Sequence, residues 1–489
     1  MKNIFVLILL FMGLNLPAQD IVWKDLSKYA KRAFRHKLIK MDDGSLLDVE
    51  GKKANLGLGR PSFVRYDAQT LTEQKRVAYK LKEKNRSTVL GVEQVGHKVY
   101  LFVVTRAKDR KTTGLYVEEI DPKSLQTSHR KELLKVSRRK KSITTVRVIT
   151  NFHADDGADR FFYDISPDSS KIVVGAKSEA RRKEPTRFNV AVYDQNMKQL
   201  WTKVITMKNA NDNFFVGKIN VDNNGNLFFA SWDEDNLFYE VEDESLWVHT
   251  YLDNGENYQK FHIYEKKLVF PKNPKLWAIK PGVYNLVSSY RKRKLNGNLG
   301  YFFQQIDANQ GNLLEPVLNP VKEIVPACKS VCFDKSTGKS TLFMEDNKTI
   351  VAQTRHGAFY KYYTSSSIAI LQFDETGKLN WHRIIEKDQQ GSYNTRLISF
   401  VKVCENDKFH IFFNDNKSNV SRRREHKKLR QYAGRKDVVF RFDISRNGRL
   451  SRAKVFLDGD KPPILTEIYH VDDKNYIIFT KKNIGRLKF

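Results

Sequence analysis

Cysteine is scarce in this chain, with three residues in 489: Cys328, Cys332 and Cys404. So few exclude a disulfide scaffold, and no paired Cys/His set has zinc-ligand spacing. Sequence motifs of catalysis are also missing. There is no G-x-S-x-G nucleophile turn, no HExxH, no Walker loop and no dinucleotide fingerprint. His153-Ala-Asp155-Asp156-Gly157-Ala-Asp159 spaces carboxylates as calcium loops do, but lacks the closing bidentate Glu, so it reads as a turn. His249 and His262 flank one hairpin and face each other at most as a pair. No metal or cofactor is expected. Acid is in short supply: 56 Asp and Glu stand against 86 Lys and Arg, a formal net charge of +30. With 29% charged and 12% aromatic residues the composition is that of a folded chain, not a disordered one.

After residue 16 no apolar run approaches the roughly 20 residues of a membrane-spanning helix. The one apolar run is Ile4–Leu16, about 13 residues, preceded by Lys2 and followed by Pro17-Ala18-Gln19. This reads as a signal peptide over residues 1–18, leaving 19–489 as one exported domain, periplasmic or secreted. The Ala-Gln ending resembles signal peptides of Bacteroidetes-type bacteria. In an oxidising compartment Cys328 and Cys332 would pair, since CKSVC puts both on one face if helical, leaving Cys404 alone in a strand. Three unpaired structural thiols is the competing reading.

What fills the chain is a repeated hairpin. Val438–Val455 (VVFRFDISRNGRLSRAKV) places two strand-like runs around a Gly-containing turn. Looser copies occur at Phe63–Val77, Leu115–Leu134, Asn189–Val204, Tyr301–Leu318 and Ile368–Ile384. Between them lies a second hairpin, as in Arg160–Gly175, Phe215–Ala230 and Ile464–Phe479. Each repeat is thus four strands, A to D, recurring at roughly 50–65 residues. A single such sheet cannot bury both its faces, so neighbouring units must stack radially and close a ring. The expected fold is all-β, a single β-propeller of four-stranded antiparallel blades.

Asp164-Ile-Ser-Pro167-Asp168-Ser-Ser-Lys171-Ile-Val resembles the turn of WD40-like, TolB-type propeller repeats, and Val221-Asp-Asn-Asn-Gly225-Asn-Leu-Phe is a second, looser match. Units read at 37–80, 88–136, 159–206, 214–265, 274–318, 339–386 and 396–457. Residues 463–489 add strands without a partner, which Asp20–Lys24 (DIVWK) completes, giving eight blades with terminal strand closure; the alternative is seven. Helix is expected only at Asp25–Arg35 and Pro320–Val331, with Pro320–Asp334 an insertion between blades.

Antiparallel order puts the A–B and C–D turns on one face and the B–C and D–A connections on the other. The first set is rich in Asp: Asp42, Asp43, Asp67, Asp121, Asp164, Asp194, Asp222, Asp307, Asp374 and Asp443. The second is basic. It holds Arg106–Lys111, Arg138, Arg139, Lys140 and Lys141, then Arg181, Arg182 and Lys183, then Arg291, Lys292, Arg293 and Lys294. The longest loop adds Arg422, Arg423, Arg424, Lys427, Lys428 and Arg430. An acidic B–C loop, Asp233–Glu244, interrupts this face. Phe359, Tyr360, Tyr362 and Tyr363 form an aromatic B–C loop suited to stacking on sugar rings, or else belong to a strand.

Two function classes remain. One is a non-catalytic propeller whose cationic face binds an acidic polysaccharide, lipopolysaccharide phosphates or an acidic protein partner. Nucleic acid would bind such charge in a test tube, but an exported protein seldom meets it. The other is a polysaccharide-active enzyme, glycosidase or lyase, with carboxylates such as Asp164 or Glu345 at the ring centre.

Overall fold

The computed structural model describes residues 21–25, 37–54, 57–81, 86–108, 111–137, 147–148, 161–177, 185–207, 214–233, 246–263, 268–269, 274–292, 300–321, 328–353, 359–391, 399–405, 408–424, 428–432, 437–451, 454–459, 463–472, 475–480 and 483–488. They are almost wholly strand. The third unit shows the pattern: Phe161–Ile165, Lys171–Lys177, Thr186–Asp194 and Gln199–Met207 pair antiparallel in chain order, as A-B-C-D. Its B and C strands read KIVVGAK and TRFNVAVYD, rich in β-branched and aromatic side chains that suit a sheet buried on both faces.

Each hydrophobic core belongs to two neighbours. Val49 and Phe63 of the first unit meet Leu101 and Val103 of the second, and Phe102 meets Phe161 and Val174 of the third. Val190 then meets Phe229, Val248 meets Phe302, and Phe303 meets Leu371. Phe343, Phe412 and Tyr476 share the next core, and Ile477 and Ile484 pack on Leu46 and Val64 of the first unit. The chain of shared cores therefore closes on itself, and the fold is a β-propeller.

The clasp is covalently distant but direct. Ile21–Asp25 pairs antiparallel with Asn483–Lys488, from Ile21 opposite Leu487 to Asp25 opposite Asn483. The last sheet thus takes its outer strand from the other end of the chain. Counted as continuous hydrogen-bonded sheets, the ring has seven blades, not the eight first read from the sequence. The first two units account for the difference. Their strands form one eight-stranded sheet, joined where Leu58 of the first unit's C strand pairs with Val89 of the second unit's A strand.

Three further expectations are corrected. Cys328–Phe333 is a strand, the innermost of the sixth unit, and Val317–Pro320 is the outer strand of the fifth unit. The described ends of this stretch are thus strand within the blades, not helix or insertion, while residues 322–327 lie outside the described ones; the alternating apolar residues of SVCF fit a strand beside Ser340–Met344. Asp25 ends a strand, and residues 26–35, on which the other expected helix falls, lie outside the described ones. Cys332 is bonded to Cys404, 72 positions away, with Cα atoms 6.9 Å apart. A strand, unlike a helix, does not bring Cys328 and Cys332 together; it brings Cys332 to the inner strand of the next unit, Phe400–Glu405.

Candidate functional site

The Asp-rich turn face is built to hold the ring together. Asp67 Oδ1 accepts from the amides of Gln69 and Thr70, and Asp194 Oδ1 from those of Asn196 and Lys198. Asp374 does the same for Thr376 and Lys378. Such Asx turns explain why Asp recurs in these positions. Hydrogen bonds from Thr70 to Asp67 and from Ser124 to Asp121 hold both carboxyls below the usual carboxylate range. Asp222 is buried and fully engaged, accepting from Asn224, Asn226, Gly282 and the Tyr284 hydroxyl. Asp164 and Asp443 depart from the pattern. Asp443 accepts from His410 at 2.7 Å and Arg441 at 2.6 Å, and these bonds outweigh burial to bring it down to about 2.

Asp164 faces the ring centre. There the inner strands of the third to sixth units enclose a cavity of about 360 Å³, lined by Asp164, Asn220, Trp277, Lys280, Phe333 and Lys335 among others. Burial raises the Asp164 carboxyl, against the pull of the Lys218 ammonium that bonds it. Asp222 is the second described carboxylate lining this space, and its oxygens are taken. Glu345 lies elsewhere. It is wholly buried within the sixth unit's B strand, bonded to Lys387 and accepting from Ser365 at 3.0 Å and Ser399 at 3.1 Å. It is a structural ion pair, away from the central cavity.

The opposite face gathers the B–C connections. In the second unit Lys108 and Lys111 are exposed at the loop ends. The seventh unit's loop is the best described, and it is folded. A short helix, Asn419–Arg424, follows Asn416. Asn419 is buried; its amide donates to Asp415 at 2.7 Å and to the Arg430 carbonyl at 2.8 Å, while its Oδ1 accepts from the Arg430 amide at 2.7 Å. Arg423 turns inward to the buried Asp415 at 2.6 Å and lies over the Phe440 ring at 5.2 Å. Of the cations expected here, Arg423 is thus a brace. Arg422 is half-buried and donates to the Lys428 carbonyl at 2.7 Å, whereas Lys428 and Arg430 are exposed.

The loop is also strapped to its neighbour. The sixth unit's strands Ser340–Gln353, Phe359–Phe373 and Leu379–Gly391 run unusually long. Tyr432 bonds through its backbone to Asp388 at 2.7 Å and to Gln390 at 3.1 Å, and Gln389 Nε2 donates to the Asn414 carbonyl. Phe359, Tyr360, Tyr362 and Tyr363 lie in the second of these strands, Tyr363 opposite Thr349, so the expected aromatic loop is strand and only residues 354–358 connect it. Arg291 and Lys292 close the strand Val283–Lys292. Residues 138–141, 181–183, 293–294 and 427 lie outside the described ones, as do 153–159 and 234–244, and so does the side chain of Arg424.

His249 and His262 do not meet. His249 pairs across the sheet with Lys260, and His262 stacks on Trp247 at 4.1 Å. The buried His249 ring bonds Ser231 Oγ through Nε2 at 2.8 Å and Tyr258 OH through Nδ1 at 2.9 Å. Burial, then Lys260, brings it down to about 3, so the ring is neutral. Among the described residues no group of His, Cys, Asp and Glu has the arrangement of a metal site, and no helix is long and apolar enough to cross a membrane.

No family model matches the chain, and no curated protein matches it. It is similar to the WD40 domain of SCAP from fission yeast, at 10% identity over 96% of this chain and 98% of that one, with a TM-score of 0.39. It is also similar to the polysaccharide lyase Uly1, at 8% identity over 97% and 94%, with a TM-score of 0.42. The β-propeller domain of the Trilobed protease from Pyrococcus furiosus shares 10% identity over 73% and 96%, with a TM-score of 0.32. Likeness this distant carries nothing about activity. Sheet order, shared cores and terminal strand closure define the class: a β-propeller of four-stranded antiparallel units.

Proposed function

We propose that this is an exported, non-catalytic propeller whose B–C and D–A face binds an anionic macromolecule: an acidic polysaccharide, lipopolysaccharide phosphates or an acidic protein partner. The observation that carries the reading is the internal bracing of the seventh unit's loop. Asp415, Asn419 and Tyr432 are spent on fixing it, so Arg422, Lys428 and Arg430 are carried on a rigid base, not on a floating tail. Pre-organised cations lose less entropy on binding. On the turn face the described aspartates are instead engaged in closing turns. The net charge of +30 supports long-range attraction of polyanions.

A second reading, a polysaccharide-active enzyme, is favoured by one observation: Asp164, with a raised carboxyl, lines the central cavity. Against it, glycoside hydrolysis ordinarily uses two carboxylates, and the other described one there is Asp222, which is saturated with donors. Incubation with a panel of acidic glycans separates the two. Salt-sensitive binding without products supports the binding reading; turnover abolished by Asp164→Asn supports the enzyme.

A further inference from the structure

The Cys332–Cys404 bond ties the inner strands of the sixth and seventh units, and neither cysteine is fully buried. Both line a second cavity, of about 240 Å³, together with Lys335, Lys339, Arg446 and Asp334. Lys402 stands over the bond. Its Nζ lies 2.7 Å from Cys332 Sγ and 3.5 Å from Cys404 Sγ, 3.4 Å from the Val331 carbonyl, and 4.6 Å from the centre of the Phe343 ring. An ammonium at this distance stabilises a departing thiolate, and a sulfur that leaves more readily, with access from a cavity, speeds thiol–disulfide exchange.

We propose that Cys332–Cys404 is a thiol-exchange site, entered through this cavity by a small anionic thiol, with Cys404 the sulfur attacked and Cys332 the one released beside Lys402. The incoming thiolate bonds to Cys404 Sγ as the Cys332–Cys404 bond breaks. The electron pair leaves on Cys332 Sγ, the sulfur nearer the ammonium. A mixed disulfide on Cys404 and a thiolate on Cys332 result. A second thiolate attacks the bound sulfur, releases Cys404 as thiolate and departs as the symmetrical disulfide of the small thiol, which carries away the two electrons' worth of oxidation. Lys335, Lys339 and Arg446 outnumber the Asp334 carboxylate around the cavity, so a thiol bearing carboxylates is favoured over a neutral one. This inference is independent of the polyanion reading, which concerns the opposite face.

The test uses the full folded chain with glutathione and with 2-mercaptoethanol, quenched by acid, alkylated and mapped by peptide mass spectrometry. Expected are an adduct on Cys404, free Cys332, and faster reaction with glutathione. Lys402→Met should slow both thiols by about tenfold, whereas Lys402→Arg should retain the rate. The pair Lys335→Gln and Arg446→Gln should remove the preference for glutathione and leave the mercaptoethanol rate. Adducts mainly on Cys332, or reaction only when the protein unfolds, overturn the proposal. So does an unchanged rate in a folded Lys402→Met protein. Should that variant not fold, the site of the adduct in the native protein decides alone.

Discussion

Trp381, on the outer strand of the sixth unit, lies against Gly448 in the C–D turn of the seventh; a Cβ at Gly448 would stand 2.5 Å from the indole ring. The indole Nε1 donates to the Arg446 carbonyl at 3.0 Å, and Arg383, two residues on, donates to the Gly448 carbonyl at 2.6 Å. The third unit repeats the device. Trp201 lies against Gly255, and Lys203 bonds the Gly255 carbonyl. An aromatic side chain on one outer strand thus seats on the neighbour's turn glycine, and the basic residue two positions on caps it.

Gly448 sits at φ +78°, where an added methyl is disfavoured before it meets Trp381. Gly448→Ala should therefore destabilise by about 2–3 kcal/mol, the sum of backbone strain and steric displacement. Gly44 shares the positive φ but has nothing within 4 Å of a Cβ, so Gly44→Ala should cost only the backbone part. Equal losses, measured by urea unfolding, would mean the indole contact adds nothing.

Acid sensitivity should follow His249. The folded ring has its proton affinity depressed to about 3, against 6.5 when unfolded. Unfolded chains take up the proton first, so this group's stability is intact above 6.5 and is lost as pH falls from there towards about 3. The slope should be about 1.4 kcal/mol per pH unit across that window. His249→Gln should be less stable at neutral pH, because it gives up the Ser231 and Tyr258 bonds, and should show a flatter acid limb. Parallel limbs for the two proteins would contradict the assignment.

Glu345 and Lys387 are both wholly buried, and burial pushes the lysine's proton affinity well down. Removing one partner leaves an uncompensated polar group, so Glu345→Gln or Lys387→Met alone should cost about 3–5 kcal/mol. The double variant should lose clearly less than the two single losses added, because each single change strands the other member of the pair and the double change strands neither. Additive losses in a double-mutant cycle would show the two side chains are uncoupled.

Deleting residues 21–25 removes the outer strand of the last sheet and its five-residue register with residues 483–487. The unfolding midpoint should drop by several degrees, as an edge of paired backbone is exposed at the ring's seam. An unchanged midpoint would mean the seam holds through Ile477 and Ile484 alone.

Much of this architecture was legible because hairpins announce themselves. Asp and Gly recur at turns for backbone reasons, and the alternating runs between them have strand length. The closing strand at Ile21–Asp25 was legible from the unmatched C-terminal strands. Sheet count was not, because the merger of two units rests on a single pairing between strands, Leu58 with Val89, which leaves no mark in the hairpin pattern. The Cys332–Cys404 bond was hidden because it depends on which inner strands lie side by side, a fact of tertiary order. Arg423 looked like its neighbours in SRRREHKK. Only the fold shows that the buried Asp415 claims it, and that Asn419 and Tyr432, which carry no sequence signal, set the loop's shape. Asp164 did not stand out among the many turn aspartates; only the fold shows that Asp168 takes over the turn in that unit and leaves Asp164 to the cavity.

The face-specific claim is tested most directly by binding of polygalacturonate over a range of salt concentrations. Two triple variants are compared with the parent chain: Arg422→Gln, Lys428→Gln, Arg430→Gln on the B–C face, and Lys123→Gln, Lys198→Gln, Lys378→Gln on the turn face. Both remove three exposed or half-buried cations and keep Arg423 in place. The B–C variant should weaken binding by about tenfold and flatten its salt dependence, while the turn-face variant should change it less than about twofold. Equal weakening by the two variants would show that only bulk charge matters, and would contradict a binding face.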